Sequence, residues 1–195
     1  MISFLFTNVY IFILAVVLAI LEIQIEGPHG WAKNLPAWKP HTHHPLAKLY
    51  ARFMNGKQLT GYHVAMFIFV FLIFHLPYAF GLEFTLVSWL ETLSLFFMFI
   101  VLWDFLWFVL NPHYPLSNFK KGMIEWHAHW LWFAPVDYYS GLILSFLIIL
   151  PLSFTSLGND IFIWWATHLE LFAIQTIIVS LFTLKVLDID NWKVK

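Results

Sequence analysis

The chain has 195 residues, of which 61% are apolar and only 11% are charged, and its formal net charge is −1. Soluble domains carry roughly 25% charged residues, so this composition excludes an ordinary water-soluble globular protein, and we expect no nucleic-acid partner. Cysteine is absent, which excludes disulfides, thiolate metal ligands and cysteine nucleophiles.

Five apolar stretches are long enough to cross a bilayer, whose core of about 30 Å needs roughly 20 helical residues. They are residues 2–23, 63–82, 84–110, 132–154 and 161–184. The first has no basic flank and no small-residue cleavage site, so we interpret it as a membrane helix and not as a removable signal peptide. The sequence therefore predicts an all-α, polytopic bundle of five transmembrane helices, with residues 1–195 forming a single integral membrane domain.

Basic residues predict the orientation, because Lys and Arg near helix ends are retained in the cytoplasm. They occur only in the first loop, the third loop and the carboxyl-terminal tail: Lys33, Lys39, Lys48, Arg52, Lys57, Lys120, Lys121, Lys185, Lys193 and Lys195. This alternation predicts the amino terminus outside and the carboxyl terminus in the cytoplasm. We expect a multi-pass protein of a bacterial or archaeal cytoplasmic membrane.

The first loop contains a short amphipathic segment. Its apolar residues follow the i, i+3, i+4, i+7 spacing of one helix face, and Lys48 and Arg52 occupy the other face. The apolar residues are Leu46, Leu49, Tyr50 and Phe53. This pattern predicts a short helix lying in the cytoplasmic membrane interface.

Ionisable side chains near the membrane are functional candidates, because a charge at the bilayer centre costs about 2.5–3.5 kcal/mol. The predicted topology puts one group at the cytoplasmic level: Glu22, Glu26, His29, His63, Asp104, Asn111, His113, His127, His129 and Asp137. A second group lies nearer the midplane: His75, Glu91, His168 and Glu170. The second group either forms a separate site or hydrogen-bonds the helices together, and the sequence leaves both readings open.

Imidazole and carboxylate groups without sulfur are ligands for iron, manganese or zinc. We therefore predict a site for a divalent transition metal, with these ligands: Glu26, Asp104, His127 and His129. Asp137 and His113 are the predicted catalytic residues. His127 and His129 would point to opposite sides of a helix, so a shared ion requires residues 125–129 to be non-helical.

These residues suggest a metal-dependent membrane enzyme, an oxidoreductase or a hydrolase, that acts on a lipid or another apolar substrate at the cytoplasmic interface. Two alternatives stay open: a non-catalytic subunit of a membrane complex, binding a pigment or haem through His75 or His168, and a proton-coupled transporter. The absence of an internal repeat counts against the common inverted-repeat transporters. Membrane lipid is the expected partner, and a second copy of the chain or a complex partner also stays open. The histidine boxes of membrane di-iron desaturases do not occur, and the sequence indicates no family.

Overall fold

The protein is a bundle of helices in a computed structural model that describes residues 2–192. Its helices are α1 (Ile2–Glu26), α2 (Pro45–Phe53), α3 (Gly61–Ala79), α4 (Leu86–Leu110), α5 (Val136–Ile149) and α6 (Asp160–Leu181). A small antiparallel hairpin of β1 (Trp130–Leu131) and β2 (Ala134–Pro135) precedes α5. Five helical segments are long and apolar enough to cross a membrane: α1, α3, α4, α5 with a following 3-10 segment, and α6 with a following π segment. The predicted multi-pass helical membrane protein is confirmed at this level.

The predicted start of the fourth span at residue 132 is wrong. Trp132 adopts a left-handed backbone conformation, with φ of 51°, in the turn of the hairpin, and α5 begins only after Pro135. The residue before a proline avoids helical backbone angles, so Ala134 disfavours a helix that begins earlier. The prediction relied on apolar composition alone and therefore began this span too early. The other predicted ends lie within three residues of the ends of the observed helical segments.

Helix α4 lies at the centre of the bundle and packs against α1, α3, α5 and α6. Its contact with α1 places the small residues Ala15 and Ala19 in the same buried cluster as Phe99 and Leu106. Small side chains at a helix interface let the two backbones approach closely, as in other membrane bundles. By contrast, α3 and α6 keep apolar faces exposed, as expected for helices that face lipid.

Threonine caps define where two of the long helices begin. The Thr60 side chain accepts the backbone N–H of His63 at the start of α3, and Thr85 does the same for Ser88 at the start of α4. Such caps satisfy backbone donors that a helix cannot satisfy internally. The first cap also positions His63 in the first turn of its helix.

Two loops fold over one end of the bundle, where α1 and α4 end and α3 and α5 begin. The backbone N–H of Gly61 donates to the Trp38 carbonyl at 2.9 Å, and the Lys33 ammonium contacts Glu125 at 2.8 Å. Gly30 lies so close to the Trp126 ring that a Cβ atom at this position would overlap it. The loops therefore enclose the polar side chains at this end.

Candidate functional site

A buried group of two carboxylates and one imidazole lies between α1 and α3. Glu22, Glu26 and His63 each offer one possible ligand atom, and these atoms lie within 4.8 Å of one another. His63 Nε2 is 3.5 Å from Glu26 Oε1 and 3.9 Å from Glu22 Oε1. Glu22 and Glu26 are one turn apart on the same face of α1, and we call these three residues the Glu-Glu-His cluster.

The orientation of the His63 ring is fixed from two sides. Thr60 Oγ1 accepts the His63 backbone N–H and lies 2.8 Å from Nδ1 of the same residue, and the Trp31 ring stacks on the imidazole with centroids 3.8 Å apart. In the tautomer in which Nδ1 donates its proton to Thr60 Oγ1, Nε2 carries the lone pair. This buried nitrogen has no hydrogen-bond partner within the described part of the chain, and it faces two carboxylate oxygens.

A second polar group, which we call the His127 network, lies across the same end of the bundle. His127 Nε2 is 3.2 Å from Asp104 Oδ2, and His127 Nδ1 is 3.1 Å from Asp137 Oδ2. The Tyr138 hydroxyl donates to Asp104 Oδ2 at 2.5 Å. The Lys57 ammonium lies 2.7 Å from Asp137 Oδ2. The network therefore joins four segments: helix α4, helix α5, the loop that precedes α3 and the loop that follows α4.

The His127 network balances its own charge. Both ring nitrogens of His127 face carboxylate oxygens, so an imidazolium can donate to both. Burial lowers the pKa of His127, but the neighbouring Asp104 carboxylate and the two hydrogen bonds raise it, and the net result is a pKa above the ordinary value. Two carboxylates, one imidazolium and the Lys57 ammonium together carry no net charge.

The cluster and the network meet at a small cavity. Glu22, Glu26 and Asp104 line it together with aromatic side chains, and it encloses about 10 Å³, roughly the space of one water molecule. Among residues 2–192, no Lys or Arg lies within ion-pair distance of Glu22 or Glu26. The two glutamates are thus the carboxylates of this region whose charge the described side chains do not balance.

The structure brings some of the predicted site residues together and separates others. Glu26 and Asp104 line the same cavity, His127 contacts Asp104, and residues 125–129 are non-helical. His129 is exposed and lines a different depression beside Asp137. His113 lies in the loop after α4, where its backbone N–H donates to Asn111 at 2.9 Å. Neither His129 nor His113 is among the residues that line the cavity.

Four residues of the site were not among the predicted ligands or catalytic groups: Glu22, His63, Lys57 and Tyr138. The i, i+4 spacing of Glu22 and Glu26 and the Thr60-to-His63 cap spacing are the sequence signals for the cluster. In the sequence, nothing distinguishes Lys57 from the other cations of the first loop. In the structure it is buried, with its ammonium 4.6 Å from the Trp31 ring centroid. Tyr138 gave no signal, because tyrosine is common at membrane interfaces.

The midplane polar residues fasten different helix pairs. The buried His168 of α6 has its Nδ1 2.9 Å from the Asn8 amide nitrogen of α1, while His75 of α3 accepts from the Trp89 indole of α4 at 3.2 Å. Glu91 is half-buried and Glu170 is exposed. These contacts support the helix-linking reading of the midplane group.

Comparisons with known proteins give no family for this chain. No protein-family model, no curated protein and no solved structure matches it. Its function is therefore argued from the geometry and chemistry of the site.

Proposed function

We propose that the protein is a metal-dependent integral membrane enzyme that acts on a lipid or another apolar substrate. A divalent iron, manganese or zinc ion would be bound by Glu22, Glu26 and His63. The observation that carries this proposal is the convergence, within 4.8 Å, of three ligand atoms from the half-buried Glu22 and the buried Glu26 and His63. This ligand set differs from the one the sequence predicted, because both ring nitrogens of His127 already face carboxylates and are not free to bind an ion.

The charge of the site supports a divalent ion. If both were ionised, Glu22 and Glu26 would carry two negative charges in a region that is largely shielded from water and in which the described residues 2–192 place no Lys or Arg within ion-pair distance of them. Uncompensated buried charges are costly, usually by several kcal/mol each. One divalent cation would balance both glutamates and would also give the lone pair of His63 Nε2 a partner.

The arrangement resembles the design of catalytic metal sites, in which three protein ligands leave a position for water or substrate. A bound ion would lower the pKa of that water or polarise a substrate oxygen. Asp104 lines the same cavity and is hydrogen-bonded to His127 and Tyr138. In this position its carboxylate could accept a hydrogen bond from a water molecule at the ion, and the positive His127 stabilises its charged form.

We also propose that this end of the bundle faces the cytoplasm, that the amino terminus is outside and that α2 lies in the membrane interface. The placement of Lys and Arg supports this orientation. Reporter fusions after Gly56 and after Lys195 should both give a cytoplasmic signal. An external signal at either position would overturn the orientation.

Metal analysis of the purified full-length chain tests the proposed site. The native protein should retain roughly one transition-metal ion per chain, and the double variant Glu22→Gln/Glu26→Gln should lose it. Glu170→Gln is the matched control, because it removes an exposed carboxylate of α6 outside the cluster. Absence of metal from the native protein after incubation with each candidate ion, or equal retention by the double variant, would overturn the proposal.

A further inference from the structure

A second, larger depression lies between α2 and the beginning of α5. It has a volume of about 610 Å³, within the roughly 300–1,000 Å³ typical of sites for small ligands. Its lining includes Lys48, Arg52, Phe53, Asn55, His129 and Asp137. The Asn55 amide donates to the His129 carbonyl at 3.2 Å, and this contact ties the end of α2 to the segment before the hairpin. We call this depression the α2–α5 groove.

The α2–α5 groove has an excess of positive charge. Lys48 and Arg52 lie one turn apart on α2 and are both exposed, and neither takes part in an ion pair with any residue in the described range 2–192. Among the described residues, the one carboxylate in the lining belongs to Asp137, and its charge is balanced by Lys57 at 2.7 Å and by His127 at 3.1 Å. An anionic ligand therefore complements the groove.

Phe53 lines the groove beside these cations, and Leu46 and Leu49 lie with it on the apolar face of α2. Leu46, Leu49 and Phe53 are 62%, 52% and 76% exposed, respectively. A free anion would gain nothing from these side chains. A phospholipid would place its phosphate on Lys48 and Arg52 and its acyl chains along the apolar face of α2, as amphipathic helices at anionic membranes do.

We propose that the α2–α5 groove binds the phosphate headgroup of an anionic phospholipid. The same molecule, or one of its class, would be the substrate of the enzyme, and this second statement rests on the proposed function. Asp137 supports it, because this residue lines the groove and is hydrogen-bonded to His127, which in turn contacts Asp104 at the cavity. Lipid binding itself requires only the groove and not the metal ion.

Thermal unfolding of the full-length chain in a neutral detergent measures this binding. Dioctanoylphosphatidylglycerol should raise the unfolding midpoint, whereas dioctanoylphosphatidylcholine and inorganic phosphate should raise it much less. In Lys48→Gln/Arg52→Gln the apparent dissociation constant for the anionic lipid should rise by roughly 30-fold, as expected when two lysine or arginine contacts to an anionic surface are lost. The charge-preserving variant Lys48→Arg/Arg52→Lys should keep the affinity of the native chain and shows that the change of charge is responsible.

Lys120→Gln/Lys121→Gln is the matched control, since it removes the same charge from an exposed loop outside the groove. Equal losses in this variant would show general surface attraction and overturn the proposal. An equal effect of inorganic phosphate would assign the groove to free anions and would also overturn it. Glu22→Gln/Glu26→Gln separates the two proposals. If this variant binds the lipid but no metal, the groove proposal is supported. If the native chain binds metal but not the lipid, only the groove proposal is contradicted.

Discussion

His127 and Asp104 are joined by a contact between Nε2 and Oδ2, 3.2 Å long, that connects the loop after α4 to the buried face of α4 itself. The other ring nitrogen of His127 faces Asp137 at the start of α5. One side chain thus links three segments and sets a charged pair beside the cavity of the Glu-Glu-His cluster. Its protonation should therefore affect both stability and activity.

Stability should depend on pH through His127. Its pKa is raised in the folded protein, so protonation favours folding. The contribution is fully present below the unfolded pKa of about 6.5 and is lost as the pH rises through the raised folded pKa. Unfolding midpoints of the native chain and His127→Gln should differ most at acidic pH and converge as the pH rises above 6.5.

The charged and titratable groups that face His127 are Asp104, Asp137, Tyr138 and Lys57, and all four are retained in this variant. His113→Gln serves as the control, because it removes a loop histidine outside the network, and its profile should follow that of the native chain. Parallel profiles for His127→Gln and the native chain would contradict the prediction.

Removing the metal should destabilise the native chain. Without an ion, Glu22 and Glu26 place two like charges one turn apart on α1, an arrangement that disfavours the helix and the ionised state of the pair. A chelator should lower the unfolding midpoint of the native chain and leave Glu22→Gln/Glu26→Gln unchanged. A chelator effect of the same size in both proteins would show that the stabilising ion is bound elsewhere.

Most of the fold follows from the sequence. Bilayer thickness sets the length of a spanning helix, and the hydropathy of the sequence shows where stretches of that length occur. The end of α4 at Leu110 was predicted at the observed residue. The hairpin before α5 was missed, because Trp132 and Phe133 are apolar enough to belong to a span. There, local turn geometry and Pro135 outweigh composition.

The site was only partly predictable, because a topology gives the depth of each residue but not its rotation about the helix axis. The topology groups Asp104, Glu26 and His127 at one end of the bundle, where the structure also has them close together. It could not show that His63 turns toward Glu26, or that Lys57 is buried between Trp31 and Asp137. Those contacts join segments far apart in the chain, and no spacing within one helix reports them.

Gly30 should be far less tolerant of substitution than Gly27. Both have positive φ angles, 43° and 62°, so alanine is strained at either position. A Cβ atom at Gly30 would also overlap the Trp126 ring, whereas a Cβ at Gly27 meets open space. Gly30→Ala should therefore cost about 1–3 kcal/mol more of unfolding free energy than Gly27→Ala, the usual penalty of overpacking. Equal unfolding midpoints for the two variants would show that the loop does not close on Gly30.

The hydroxyl of Thr60 should matter for metal binding as well as for stability. Thr60→Val keeps the shape of the side chain but removes both the N-cap of α3 and the partner of His63 Nδ1. Loss of an N-cap costs roughly 0.5–2 kcal/mol, and loss of a hydrogen bond that orients a metal-binding histidine costs about 10- to 100-fold in affinity. Thr85→Val is a matched control, because it removes the equivalent N-cap of α4 and leaves the Glu-Glu-His cluster unchanged.

The two variants should therefore lose similar stability in thermal unfolding, while only Thr60→Val weakens metal binding in a competition titration with a chromophoric chelator. Thr60→Ser restores the hydroxyl and should restore the affinity. If Thr60→Val and Thr85→Val bind the ion equally well, the contact between Thr60 and His63 serves only the helix cap. In that case the lone pair of His63 Nε2 does not depend on Thr60, and the orientation argument for this ligand fails.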